Sequence, residues 1–280
     1  MKTKSTFLYI GKFFLYFLLV VWTIVCLFPL YWLFTFSLKN NNEIFGGNIV
    51  GLPHVFLWSN YQNALLNGKV GIYLLNSIIV TALTILFTVL AATMATFAMQ
   101  RMRWKLSKVT MSILLVGMMI PIHAALLPVF VVMRNLKIID TIWSLIIPYT
   151  GFAIPMGIMI IYGMMDGIPR ELDESACIDG CSIYRMFFSI ILPMLRPAIA
   201  TAAIFTFLQS WNELMMAVTF ISKDSAKTLT VGIQSMAGQY LTEWGPIGAA
   251  LVVATVPTLI LYFMLSSQVQ KSLVAGAVKG

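Results

Sequence analysis

The sequence predicts an all-α integral membrane protein with six transmembrane helices. Three observations carry that prediction. Of the 280 residues, 60% are hydrophobic and only 10% are charged, against about 25% charged in a soluble domain. The apolar residues gather into six runs, 13–36, 73–99, 109–133, 141–165, 194–221 and 248–268, each long enough for a span of roughly 20 residues. The basic residues sit in short connections between these runs rather than in one patch. The net charge of +8 therefore reads as membrane topology, and no nucleic-acid partner is expected.

The first run follows Lys2, Lys4 and Lys12. It is long and lacks a small-residue cleavage site, which makes it a retained helix rather than a signal peptide. Prolines 29, 121, 148, 155 and 257 fall inside or at the ends of runs, as membrane helices tolerate where neighbours satisfy the freed carbonyls. The linker 37–72 is the longest polar segment and is expected to form an extracellular loop with little fixed structure of its own. The N-terminus, 100–108, 166–196 and the C-terminus together hold 12 Lys and Arg, against 6 in 37–72, 134–140 and 222–247. "RMRWKLSK" (101–108) alone has four cations and no acid. The first set is therefore cytoplasmic, with both termini inside. The other connections carry interfacial aromatics, Trp58, Tyr61 and Trp244. No repeat or low-complexity segment divides the chain. Its organisation reads as an N-terminal helix and outer loop (1–71), a main transmembrane domain (72–268) and a cytoplasmic tail (269–280).

The most charged stretch is "ELDESACIDGCSIYRMFFSIILP" (171–193). Pro169 suits a first helical turn. Glu171, Asp173 and Glu174 then sit at the positive end of the helix dipole. Gly180 can take the left-handed conformation that ends a helix, and Ser182 can cap a second one. Ile183, Met186, Phe187, Ile190 and Ile191 recur at helical spacing until Pro193 stops the pattern. The segment is a helix–turn–helix at the inner surface. It is either a well-capped solvated loop or a docking surface. Met186, Phe187 and Phe188 in a row beside the acids favour an apolar face with a charged rim.

At these residues the sequence resembles the binding-protein-dependent ABC importer permeases. "ESACIDGCSIYRMFFSIILPMLRP" (174–197) is similar to their EAA signature, with Glu174, Ala176, Asp179, Gly180, Phe187, Ile190, Leu192, Pro193 and Pro197 matching. Ser175 and Cys181 replace alanines and stay small. "NSIIVTALTILFTVLAATMATFAMQRMRW", "MIPIHAALLPVF", "LIIPYTGFAIP", "FTFLQSWNELMMAVTF", "KTLTVGI" and the ending "VAGAVKG" extend the resemblance to the carbohydrate-uptake branch over nearly the whole chain. The resemblance implies the type I ABC importer permease fold, in which the hairpin is a cytoplasmic coupling element. Glu174, Ala176, Asp179, Gly180, Phe187 and Pro193 would dock it in a groove on a separate ATPase. The tail 272–280 would reach between two ATPase subunits. It further implies a bacterial cell-membrane location, a second homologous permease, an ATPase dimer, an extracellular sugar-binding protein and a sugar substrate.

What the sequence lacks fits that division of labour. Gly11-Lys12 is followed by Phe13 and Gly68-Lys69 by Val70, so neither forms a phosphate-binding G-x-x-x-x-G-K-[ST] loop. ATP hydrolysis falls to a partner, and no enzyme activity or cofactor is expected. Cys177 and Cys181 share a helical face but have no His or further Cys nearby, so they read as packing residues and no metal site is expected. His54 and His123 are isolated, and His123 either bonds a neighbouring helix or lines a cavity. Glu213, the one carboxylate well inside a run, adjoins Trp211 and Asn212. Counting from Pro197 puts it roughly 24 Å above the inner surface. An aromatic, an amide and an acid suit a sugar on its pathway; alternatively they form a helix-packing network. The rival function is a stand-alone ion-coupled carrier, which would need several mid-membrane acids and inverted repeats. An intramembrane enzyme would need a catalytic cluster that the sequence does not offer.

Overall fold

The computed structural model describes residues 2–102, 104–238 and 242–277, with side chains over 11–102, 104–238 and 242–264. Among the described residues all regular structure is helical. The principal helices are α1 (Lys2–Ser37), α2 (Val70–Arg101), α3 (Ser107–Met118), α4 (Leu126–Asn135), α5 (Trp143–Met165), α6 (Glu171–Ile178), α7 (Ile183–Met194), α8 (Arg196–Trp211), α9 (Met215–Phe220), α10 (Leu229–Ser235) and α11 (Trp244–Ala277). The helical backbone of the tail runs to Ala277, and residues 278–280 lie outside the described residues.

Four helices are long and apolar enough to cross a membrane without a break: Gly11–Ser37, Val70–Arg101, Trp143–Met165 and Trp244–Met264. The other two expected spans are interrupted. The run 109–133 is split into α3 and α4, 12 and 10 residues long. Pro121 lies in the break, where it costs no helical hydrogen bond. Its carbonyl accepts from the N–H groups of Ala124 and Ala125, and His123 is exposed in the same turn. The run 194–221 is also divided: α8 ends at Trp211 and α9 resumes at Met215. A continuous apolar run thus does not guarantee a continuous helix.

The chain forms two compact units, 1–70 with 235–255, and 71–234 with 256–280. In the first, the linker 37–72 is ordered, contrary to the expected unstructured loop. Asn40 caps the short helix Asn41–Phe45 by accepting from the Glu43 N–H. Asn60 donates its amide to the carbonyls of Ser37 and Lys39, both at 2.9 Å. Asn41 donates to the Thr242 carbonyl and accepts from the Trp244 N–H. Asparagine side chains bond backbone groups in this way when helix and sheet ladders are absent. Gly245 packs directly on the Lys39 carbonyl and the Asn60 amide, where any Cβ would collide. Lys39 itself is fully buried and donates to the Asn48 carbonyl at 2.7 Å. Desolvation lowers its pKa, against the opposing pull of Glu43.

The second unit packs two apolar clusters. One joins Phe97, Met99, Ile158, Ile161 and Met165 to Ala176, Met186, Phe187, Ile191 and Leu195. The other joins Leu145, Ile146 and Tyr149 to Met216, Ala217, Phe220 and Ile221. The helices α2 and α5 approach closely at Gly157, where a Cβ would lie 3.1 Å from that of Ala92. Small residues allow such backbone approach between membrane helices.

Candidate functional site

The hairpin 171–195 builds its turn as the sequence leads one to expect. Gly180 has φ +73°. Its N–H donates to the Cys177 carbonyl at 3.0 Å, and the Cys181 N–H donates to the Ala176 carbonyl at 2.9 Å. This pair of bonds is the Schellman closure of α6. No atom lies within 4 Å of a Cβ built at Gly180, so glycine is needed there for backbone conformation and not for space. Ser182 then caps α7, its hydroxyl accepting from the Arg185 N–H at 3.3 Å.

The rest of α7 differs from the expected regular helix ended by Pro193. Met186–Ile191 is π-helical, and Pro193 lies inside the following turn, Leu192–Met194. The helix stops at Leu195, where α7 and α8 meet at a 75° bend. Proline lacks the N–H that an α-helix would give to the carbonyl four residues earlier, and the wider turn upstream accommodates that loss.

The apolar side chains are also distributed differently. Met186 and Phe187 are buried, with the Phe187 ring 5.1 Å from that of Phe97, and Ala176 is buried beside them. They hold the hairpin to its own unit. The outer face instead presents Ile178 (86% exposed), Tyr184 (75%) and Phe188 (53%). Glu174, Asp179, Gly180 and Pro193 are exposed on the same element. The hairpin thus exposes both large apolar side chains and carboxylates.

One guanidinium, which the sequence reading counted only as a topological charge, anchors the hairpin. Arg101, the last residue of α2, donates to Asp173 Oδ2 at 2.8 Å and to the carbonyls of Ile168 and Met165 at 2.7 and 3.1 Å. Its side chain is 6% exposed and that of Asp173 is 18% exposed. The neighbouring Gln100 donates to the Tyr162 carbonyl at 3.0 Å.

At the second break, Trp211, Asn212 and Glu213 do not converge. Trp211 is buried and stacks on Phe207, with ring centroids 5.3 Å apart. Asn212 is exposed and donates to the Leu208 carbonyl one turn back. Glu213 is 8% exposed. It accepts from the Tyr149 hydroxyl at 2.5 Å and from the N–H groups of Met216 and Ala217 at 2.8 and 3.1 Å. It therefore caps α9 and ties it to α5. Among the described residues it has no ion-pair partner; charge-assisted hydrogen bonds and the α9 N-terminus stabilise the carboxylate instead. Tyr149 lies 64 positions away in sequence, and nothing local marks it. Beyond α9, Asp140 (φ +64°) accepts from the N–H groups of Ser222 and Lys223, and its own N–H donates to the Phe220 carbonyl. The two N–H donors hold its carboxyl below the usual aspartate pKa.

Neither site has the makings of a metal centre: among the described residues no three His, Cys, Asp or Glu side chains come together, and the cysteines are free.

Comparison with known proteins gives one consistent result. Residues 87–274 match the family described as binding-protein-dependent transport system inner membrane component. The chain is 36% identical to the putative ABC transporter permease protein ORF2 of Caldicellulosiruptor sp. (strain Rt8B.4), over 94% of this chain and 95% of that protein. It is 33% identical to the sulfoquinovosyl glycerol transport system permease protein SmoH of Agrobacterium fabrum, over 91% and 89%. Among solved structures, a bacterial ABC transporter involved in the import of the acidic polysaccharide alginate superposes with a TM-score of 0.81. That match has 19% identity and covers 92% of this chain and 96% of the other, a likeness of fold.

Proposed function

The chain belongs to the family of binding-protein-dependent transport system inner membrane components, and from that premise we propose that it is one permease subunit of an ATP-driven sugar importer. The family is one of multi-pass transport permeases, not of enzymes, and such importers work with an ATPase and a substrate-binding protein. The finer assembly is part of the proposal: a second, homologous permease completes the pathway, two ATPase subunits lie below, and both termini face the cytoplasm. The sugar cargo rests on the carbohydrate named for the relative from Agrobacterium fabrum and on the alginate importer. The same family membership argues against a stand-alone ion-coupled carrier.

The observation that carries the reading is the exposed face of the hairpin, which bears Glu174, Asp179, Ile178, Tyr184 and Phe188. That face docks the ATPase, and Gly180 fixes its angle. Ala176 and Phe187 act beneath it by holding the hairpin to the membrane domain, and Pro193 by shaping the bend into α8. On the pathway, Asn212 meets the sugar, while Trp211 and Glu213 hold the break that presents it. ATP binding closes the ATPase pair, the hairpin transmits that closure, and hydrolysis resets it.

The test is uptake in cells whose ATP is maintained while an uncoupler collapses the ion gradient. Sugar uptake should persist, and the purified chain alone should hydrolyse no ATP. Uptake that stops with the gradient while ATP stays constant would support the carrier.

A further inference from the structure

We propose that Arg101 is a positioning residue for the coupling hairpin, joining the hairpin's first turn to the ends of two membrane helices. The inference rests on the reading of the hairpin as the ATPase-docking element. Its observation is separate: the three hydrogen bonds of one buried guanidinium. Arg101 Nη1 holds Asp173 in the first turn of α6. Arg101 Nη2 holds the carbonyls of Met165, at the C-terminal end of α5, and of Ile168, in the connection to α6. The Met165 carbonyl also accepts from the Ile168 N–H at 3.1 Å, so the guanidinium adds a second bond to a carbonyl at the helix end. Arg101 is itself the last residue of α2. A single planar group thus clamps α2, α5 and the hairpin.

Two features suit this group to transmitting force rather than merely filling space. The guanidinium fork bonds in several fixed directions at once, which a lysine ammonium does not. It is also sheltered from water, so the pair is weakly screened. The apolar contacts of Ala176, Met186 and Phe187 in the same cluster resist compression, but they provide no directional tie along the surface. The Arg101–Asp173 bond provides it at the end of the hairpin that bears Glu174. Gln100, bonded to the Tyr162 carbonyl, repeats the α2–α5 connection one residue earlier, so loss of the Arg101–Asp173 bond alone leaves these helices joined.

The experiment uses the complete importer, with both permeases, the ATPase and the binding protein, in proteoliposomes. Asp173→Asn, Arg101→Gln and the exchange Arg101→Asp/Asp173→Arg are compared with wild type. The readout is sugar imported per ATP hydrolysed, measured on assembled complex. Asp173→Asn and Arg101→Gln should retain the ATPase at wild-type stoichiometry while sugar per ATP falls about tenfold, within the usual range of coupling between sites. The exchange should recover part of the loss, because it restores the tie to α6 but not the bonds to the carbonyls of Met165 and Ile168. A wild-type ratio in Asp173→Asn and Arg101→Gln would overturn the proposal. So would a loss confined to permease yield, with a normal ratio in whatever assembles, since that is the behaviour of a structural ion pair. Failure of the wild-type permease to retain any ATPase is a distinct result: it would remove the docking reading, and the inference with it.

Discussion

At residues 174–183 the chain ends a helix with Gly180 and leaves Glu174 and Asp179 in the open, whereas at 212–214 it ends a helix and turns Glu213 inward. Both breaks lie in the second unit and both combine carboxylates with aromatic residues. They differ in how the freed backbone is satisfied. In the hairpin, the Schellman bonds and the Ser182 hydroxyl do that work, so Glu174 and Asp179 remain available to a partner. At the second break the side chain of Glu213 itself takes the N–H groups of α9 and the Tyr149 hydroxyl. A carboxylate that caps its own chain in an apolar setting is committed to the fold. The availability of a charged group therefore depends on what else can satisfy the nearby backbone, and not on how polar its sequence neighbourhood is.

The largest expected effect follows at Glu213. Glu213→Leu would strand the Tyr149 hydroxyl and two N–H groups, at about 1–3 kcal/mol for each buried group left unpaired. The yield of folded permease and its thermal midpoint in detergent should fall sharply. Tyr149→Phe removes one bond to a charged acceptor, about 1.5–3 kcal/mol, and should lower the midpoint less without altering sugar preference. A stable Glu213→Leu protein would dissolve the contrast between the two breaks.

Gly180→Val forces a β-branched residue to φ +73°, at about 1–3 kcal/mol. There is open space for the side chain, so the cost is conformational and local. Membrane levels should stay near wild type while ATPase association weakens or hydrolysis uncouples from transport. Asn212→Leu should be smaller still in stability, within about 0.5 kcal/mol for an exposed site. Its effect belongs in competition by a panel of sugars, measured per assembled complex. Unchanged preference would leave the sugar site on the partner permease.

The smallest effect is acid sensitivity at Asp140. Its folded pKa lies below the unfolded value because the Ser222 and Lys223 N–H groups bond the ionised form. The contribution is present above the unfolded pKa and is lost as pH falls through the folded one. Asp140→Asn should therefore flatten the acid limb of stability below about pH 4 and leave stability at neutral pH slightly reduced. An acid limb identical to wild type would assign that sensitivity to other carboxylates.

Local signals were legible in the sequence. The Gly180 turn and the Ser182 cap follow from residue types whose conformational preferences act within a few positions, and four of the six apolar runs coincide with helices long and apolar enough to cross a membrane. Breaks inside those runs were less legible: Pro121 was visible, but an apolar run does not by itself say that two short helices flank it. The ordered linker escaped notice because Asn40, Asn41 and Asn60 look like loop residues until their distant backbone partners, such as Thr242, are known. Side-chain direction was the least legible. Met186 and Phe187 read as docking residues beside the acids, yet the rotation of a partly π-helical segment turns them inward and leaves Ile178, Tyr184 and Phe188 outside. Arg101 and Asp173 carried separate local explanations, topology and helix dipole, which concealed their 72-residue-distant pairing.

The most direct test of the account is co-purification of the ATPase with a tagged permease, quantified per folded permease, for Glu174→Lys and Asp179→Lys. Both positions are exposed and bonded to no other part of the fold through their side chains among the described residues, so the permease should remain folded in the membrane. The account predicts that the ATPase is lost or strongly depleted from both variants. Wild-type recovery of the ATPase with both would contradict it, because the exposed acids of the hairpin would then serve no docking role.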